Sequence, residues 1–164
     1  MRQEFFGNKI IELQPETVLV NKWQQMEFFV EKVFAQSNLN AIDMLLQISQ
    51  YLKNHRELHY VNFQGNEEDL KRFYAEDLSR RITFASEKIA HNFALGQQQK
   101  LYRNDISSEI VARSYAKRVL DLHNPNIFPP QKLSHRLIYL FMFESVIRGL
   151  STPFGIKYFE KMRG

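Results

Sequence analysis

Apolar residues recur at steps of three and four along almost the whole chain, and no run of strict alternation bounded by turn signals interrupts them. That spacing gathers hydrophobic side chains on one face of successive helices and leaves nothing to build a sheet, so the sequence predicts an all-α domain. Its 164 residues suit a single domain burying roughly two thirds of its unfolded surface. The longest unbroken apolar stretch, Leu137 to Phe143, falls well short of the ~20 residues that span a bilayer, and the N-terminus lacks the apolar centre of a signal peptide. A soluble cytoplasmic protein without membrane contact is expected. With no cysteine, disulfides, thiolate catalysis, iron-sulfur clusters and cysteine zinc sites are excluded, and stability rests on packing or oligomerisation.

The 22 basic and 18 acidic residues leave a formal charge of +4, an excess that permits nucleic-acid contact without requiring it. Gly65 to Asp77 is locally acidic and Arg80 to Arg103 leans basic, a distribution that fits two ends of a solvated surface better than a phosphate track.

The periodicity divides into five or six helices. The first follows Pro15, whose missing N–H costs nothing in a first turn, and carries Leu19, Trp23, Met26, Val30 and Val33 on one stripe. Ser37 and Asn38 break it. The second places Ile42, Leu45, Leu46, Ser49 and Leu52 on one face before fading into His55 to His59. After a loop from Tyr60 to Gly65, Asn66 is positioned to cap a third helix with Glu67, Glu68 and Asp69 in its first turn, where the helix dipole favours negative charge. Its apolar face continues to about Leu95, and Gly96 is placed to end or interrupt it. Ser107 can cap a fourth helix with Ile110, Val111, Ser114, Tyr115, Val119 and Leu122 facing inward, stopped by Asn124-Pro125. A fifth is expected from about Gln131 to Gly149, apolar on every side at its centre, which requires either a central place in the domain or a share in a second subunit. Thr152-Pro153 starts a short last helix.

The motifs of familiar chemistry are missing. The residues three before the five histidines are Leu52, Arg56, Lys88, Leu120 and Lys132, so the Glu-x-x-His of di-iron bundles does not occur. His55 and His59 are four apart, but Glu57 lies at the wrong offset for a zincin base; an exposed helix end is the plainer reading. No glycine-rich phosphate cradle and no Gly-x-Ser-x-Gly occurs. His91 stands alone on an otherwise apolar face, in line with Phe84 and Tyr74; such a histidine is more often a satisfied core residue than a base, although it can donate to a ligand. Asn92, Ser114 and Tyr115 are likewise polar groups on faces expected to point inward. Glu144 and Arg148, four apart beside the apolar centre of the fifth helix, are expected to pair with each other or across a subunit boundary. Neither a metal nor a cofactor is expected.

Three stretches together suggest a family. Leu101-Tyr-Arg-Asn-Asp-Ile-Ser-Ser-Glu-Ile-Val-Ala112, Asn126-Ile-Phe-Pro-Pro130 and Ile147-Arg-Gly-Leu-Ser-Thr-Pro-Phe-Gly-Ile-Lys-Tyr-Phe-Glu160 resemble the C-terminal ligand-binding and dimerisation domain of tetracycline-repressor-like (TetR) transcriptional regulators. Upstream, Asn38 to Tyr51 is similar to the helix after the family's linker helix, and Phe6-Gly-Asn-Lys9 to the segment closing its helix-turn-helix. Lys100 stands where such proteins usually carry glycine, so that turn is expected to take another conformation, lysine being penalised at positive φ.

The resemblance implies residues 1–14 as a remnant or linker after a helix-turn-helix, and residues 15–164 as a ligand-binding and dimerisation domain. Because most of the reading head would precede Met1, the chain itself is not expected to grip operator DNA. It also implies a homodimer in which the fourth and fifth helices form an intermolecular four-helix bundle through Tyr115, Val119, Leu137, Leu140, Phe141, Glu144 and Arg148. A small, mostly apolar effector then sits in a cavity, for which Trp23, Phe73, Tyr74, Phe84, His91 and Tyr115 are the aromatic or polar candidates on inward faces. The alternatives are a headless pairing module that binds neither ligand nor DNA, and a cofactor-independent helical enzyme. For the last, His91 with Tyr115 is the one pair to test, and an enzyme is not the expected reading.

Overall fold

The computed structural model describes residues 15–55, 67–122, 127–129 and 132–163. They form six helices: α1 (Pro15–Phe34), α2 (Ala41–Asn54), α3 (Glu67–Gln98), α4 (Ser108–Leu122), α5 (His135–Leu150) and α6 (Pro153–Arg163). Among the described residues the sole β feature is an isolated bridge between Tyr102 and Ser151, so the domain is an all-α bundle as the periodicity predicts. No described helix is long and apolar enough to cross a membrane. Residues 1–14 and the expected cap Asn66 lie outside the described residues.

Capping explains where the helices begin. Asn40 Oδ1 accepts from the Ile42 and Asp43 amides at 2.9 and 3.0 Å, occupying two of the donors that an α-helix leaves unpaired at its start. Ser107 Oγ accepts from the Ile110 amide at 3.2 Å. Helix α5 starts at His135 rather than near Gln131, because Ser134 is its cap and accepts from Leu137 at 3.4 Å. At the other end of α2, the His55 ring stacks on Tyr51 at 4.0 Å and its Nδ1 meets the Tyr51 carbonyl at 2.8 Å. His55 therefore closes a helix, and His59 lies outside the described residues.

Two apolar clusters fill the bundle. The larger joins Ile42 and Leu45 of α2, Ile89 and Phe93 of α3, Val111 and Tyr115 of α4, Phe143 and Ile147 of α5, and Phe159 of α6. The smaller packs Val30 and Val33 of α1 against Met44, Ile48 and Leu52 of α2, and Leu95 and Tyr139 touch both. The long α3 lies against α4 and α2, and α5 packs in turn on α2 and α4.

The C-terminal end of α3 is a tight joint. Gly96 does not stop the helix, which continues to Gln98; it makes room, since a Cβ there would run into the Tyr102 ring. The Lys100 amide donates to the Gln97 carbonyl at 3.0 Å and the Leu101 amide to the Gly96 carbonyl at 2.9 Å, the paired closure of a Schellman motif with Lys100 in its left-handed position. Lys100 has φ 61°. The expectation that lysine would divert this turn is thus wrong: the two closing hydrogen bonds and the burial of Leu101 and Tyr102 outweigh a left-handed penalty of about 1 kcal/mol.

The start of α6 docks onto the same joint. Thr152 Oγ1 donates to the carbonyls of Lys100 and Leu101, at 2.9 and 3.2 Å, and accepts from the Gly155 amide at 3.1 Å. The Thr152 amide donates to the Leu101 carbonyl and the Arg103 amide to the Leu150 carbonyl, both at 2.9 Å. Gly155 is required because a Cβ would strike the Leu101 carbonyl. Beneath lies a buried polar relay: the Tyr102 hydroxyl donates to Asn92 Oδ1 at 3.3 Å, Asn92 Nδ2 donates to the Ala41 carbonyl at 2.8 Å, and the Ala41 amide donates to Gln99 Oε1 at 2.9 Å. Asn92 is inward and satisfied, as buried polar groups must be.

Candidate functional site

Among the described residues, helices α4 and α5 leave several large apolar side chains uncovered. The inward side of α5 is Met142, Phe143 and Ile147, all buried. Because the centre of this helix is apolar on every side, part of it stays uncovered: Leu137 is 66% and Phe141 74% exposed. On α4, Ile110 is 60% exposed, not inward as its spacing predicts. Ile110 forms one rim of a groove of about 220 Å³ between α4 and α5, whose other walls include Ser114, Ser145, Val146 and Gly149. Ser114 is thus also on the outer side rather than inward. These small residues let another helix approach closely, and a Cβ added at Gly149 would meet nothing within 4 Å.

Of the residues expected at a dimer interface, Leu137 and Phe141 are exposed and Leu140, Glu144 and Arg148 are half-buried on the flank of α5. Tyr115 is instead buried against α5, where its hydroxyl is hydrogen-bonded to Tyr139. Loss of water raises the pKa of both phenols above the ordinary tyrosine value, that of Tyr139 most. Tyr115 belongs to the core of the subunit and to the groove floor. The Val119 side chain lies outside the described residues.

Glu144 and Arg148 pair, at 2.9 Å, within a larger network. Arg148 also reaches Glu160 at 2.9 Å, and Arg163 reaches Glu144 at 2.5 Å, so the ion pair pins the end of α6 to α5. The hydrogen bond from Arg148, followed by that from Arg163, holds the Glu144 carboxyl below the usual range, and Arg148 is correspondingly raised by Glu160 and Glu144.

The six residues expected to line an effector cavity do not all converge. Those with described side chains are Phe84, His91 and Tyr115; the side chains of Trp23, Phe73 and Tyr74 lie outside the described residues. His91 is exposed, contrary to its expected inward orientation. It meets Phe34 of α1 edge-on at 5.6 Å and lines an open recess with Glu31, Glu87 and Lys88. Phe84 packs on the smaller cluster, and Lys88 lies 5.4 Å from its ring centroid and 2.6 Å from Glu31. These two are therefore in line along α3, but on a rim facing α1. His91 is exposed on the α1 side of α3, whereas Tyr115 is buried and bonded to Tyr139 of α5, so the two do not form the expected acid-base pair. Among the described residues no group of histidines and carboxylates could hold a metal.

Sequence spacing misses a cleft of about 670 Å³ between α2, α5 and α6. Asp43 in its wall accepts from the Tyr158 hydroxyl at 2.9 Å, a pairing across 115 positions that no local pattern announces. No protein-family model matches this chain, nor does any curated protein or solved structure.

Proposed function

We propose that this chain is the effector-binding and dimerisation domain of a TetR-like transcriptional regulator, sensing a small, mostly apolar molecule and pairing through α4 and α5. What supports the reading is the uncovered face of α5. Leu137 and Phe141 keep about two thirds and three quarters of their surface in water on a helix whose opposite side is core, beside a groove walled in part by Ser114, Ser145 and Gly149. A second copy supplies the natural cover, since a twofold pair needs one patch that is complementary to itself, and here a protruding Phe141 and a receiving groove lie on the same face. Operator contact belongs to the helix-turn-helix that the resemblance puts ahead of Phe6 to Lys9. Catalysis is not part of the proposal.

The exposure of His91 favours a second reading, a pairing module that binds no ligand. Native mass spectrometry of the purified protein separates the two: a dimer carrying additional small-molecule mass supports the sensor, a bare dimer supports the module, and a bare monomer overturns both. Phe141→Arg is expected to abolish the dimer, because an unpaired charge in an apolar contact is costly.

A further inference from the structure

The cleft between α2, α5 and α6 has a volume of about 670 Å³, within the range of sites that enclose small ligands. Its floor is apolar: Phe143 and Phe159 are buried, and Leu46 and Leu140 are half-buried above them. Its walls carry two carboxylates, and both are already engaged. Asp43 accepts from the Tyr158 hydroxyl at 2.9 Å and from Asn40 Nδ2 at 2.7 Å, and Glu144 is held by Arg148 and Arg163. Arg163 is spent in that pair. Lys53 is the lining cation that no carboxylate among the described residues engages, and it projects from the same side of α2 as Gln50 and Gln47, at steps of three.

The cleft therefore has an oily floor, a Glu144 carboxylate neutralised by arginines, a hydrogen-bonded but still charged Asp43 towards the start of α2, and one uncommitted positive charge, Lys53, ten residues further along the same helix. We infer that it binds an aliphatic carboxylate, with the acid group at Lys53 and the hydrocarbon on Leu46, Leu140 and Phe143. Seven residues of rise separate Leu46 from Lys53, about 10 Å along α2, which sets a medium chain length. The assignment deepens the sensor reading by giving its ligand a seat, and it rests on that reading for its purpose.

Titration calorimetry with sodium decanoate, run beside native mass spectrometry of the same samples, tests it. Saturable one-to-one binding per subunit is expected. Lys53→Gln weakens it about tenfold, the worth of one charge-assisted contact, while decanol, which lacks the charge, binds parent and Lys53→Gln alike. Leu46→Glu, which brings a carboxylate onto the apolar seat, abolishes decanoate binding; circular dichroism identifies a folded variant, and Gln47→Glu at the cleft wall is the alternative if it unfolds. Absence of saturable binding, or equal affinity of the parent and Lys53→Gln, overturns the site. Decanoate bound to a monomer supports the cleft and removes the pairing; a dimer that co-purifies with a different ligand and ignores decanoate retains the sensor and overturns the cleft.

Discussion

Phe141→Ala tests the pairing face where the arithmetic is simplest. A phenylalanine offers about 200 Å² of surface, and at 74% exposure roughly 150 Å² of this ring remains for a partner to cover. At about 25 cal/mol per Å² that is ~3.5 kcal/mol, of which truncation to alanine forfeits about 2 after the retained Cβ and imperfect burial are discounted. In a twofold dimer the substitution occurs twice, so the expected loss is about 4 kcal/mol, or roughly a thousandfold in the dimer dissociation constant. Sedimentation velocity across a concentration series reads that change. The subunit itself should be untouched, because the ring contributes little to either cluster, and its helical circular dichroism should match the parent. An unchanged dissociation constant would refute the assignment of this face, and so would a parent that stays monomeric at every concentration.

Three further outcomes are expected. Lys100→Gly removes a left-handed penalty of about 1 kcal/mol at the cost of a more flexible unfolded chain, for a net gain near 0.5 kcal/mol and a rise of about 1 to 2 °C in melting temperature; a fall on thermal scanning would mean that the lysine side chain has a role of its own. Asn92→Leu strands the buried Tyr102 hydroxyl and removes the side-chain donor to the Ala41 carbonyl, and should cost about 1 to 3 kcal/mol in urea unfolding, with an unaltered midpoint contradicting the relay. Glu144→Gln addresses pH. The Glu144 carboxyl titrates lower in the folded chain than unfolded, so its stabilisation is fully present above the unfolded value of about 4.3 and is lost as pH falls through the folded one. Parent and variant should differ in melting temperature at pH 7 and converge towards pH 3; a gap that widens on acidification would contradict the network.

Features governed within a single helical turn were readable beforehand. Pro15, the Ser107 cap and the Thr152-Pro153 start act on their nearest neighbours, and the structure places them as their chemistry dictates. Lys100 was misread because residue preference is a local term, whereas its turn is closed by Gly96 and Gln97 and held by Thr152 from 52 positions away. His91 was misread for another reason. Its alignment with Phe84 is right, but a helix of 32 residues meets different neighbours along its length, and the stripe these two share borders α1 at the edge of the bundle. Ile110 shows the limit of periodicity most clearly: the pattern marks an apolar face without saying whether the subunit itself or another molecule covers it. The cleft was illegible because its walls come from α2, α5 and α6, joined by contacts such as Tyr158 to Asp43.

The joint at the end of α3 also sets an order of assembly. Gly96, Lys100 and Tyr102 leave the ribosome about fifty residues before Thr152 and Gly155, so the turn must wait, with the Leu101 carbonyl facing water, until the last helix emerges to cover it. Loop closure over that span adds only a modest entropic cost, but synthesis imposes a real delay. A nascent chain stopped short of Thr152 would already join α2 to α3 through Asn92 and the turn to α5 through Arg103 and Leu150, but would lack the Thr152 clasp on the Leu101 carbonyl, which makes the arrival of α6 the step that completes the joint.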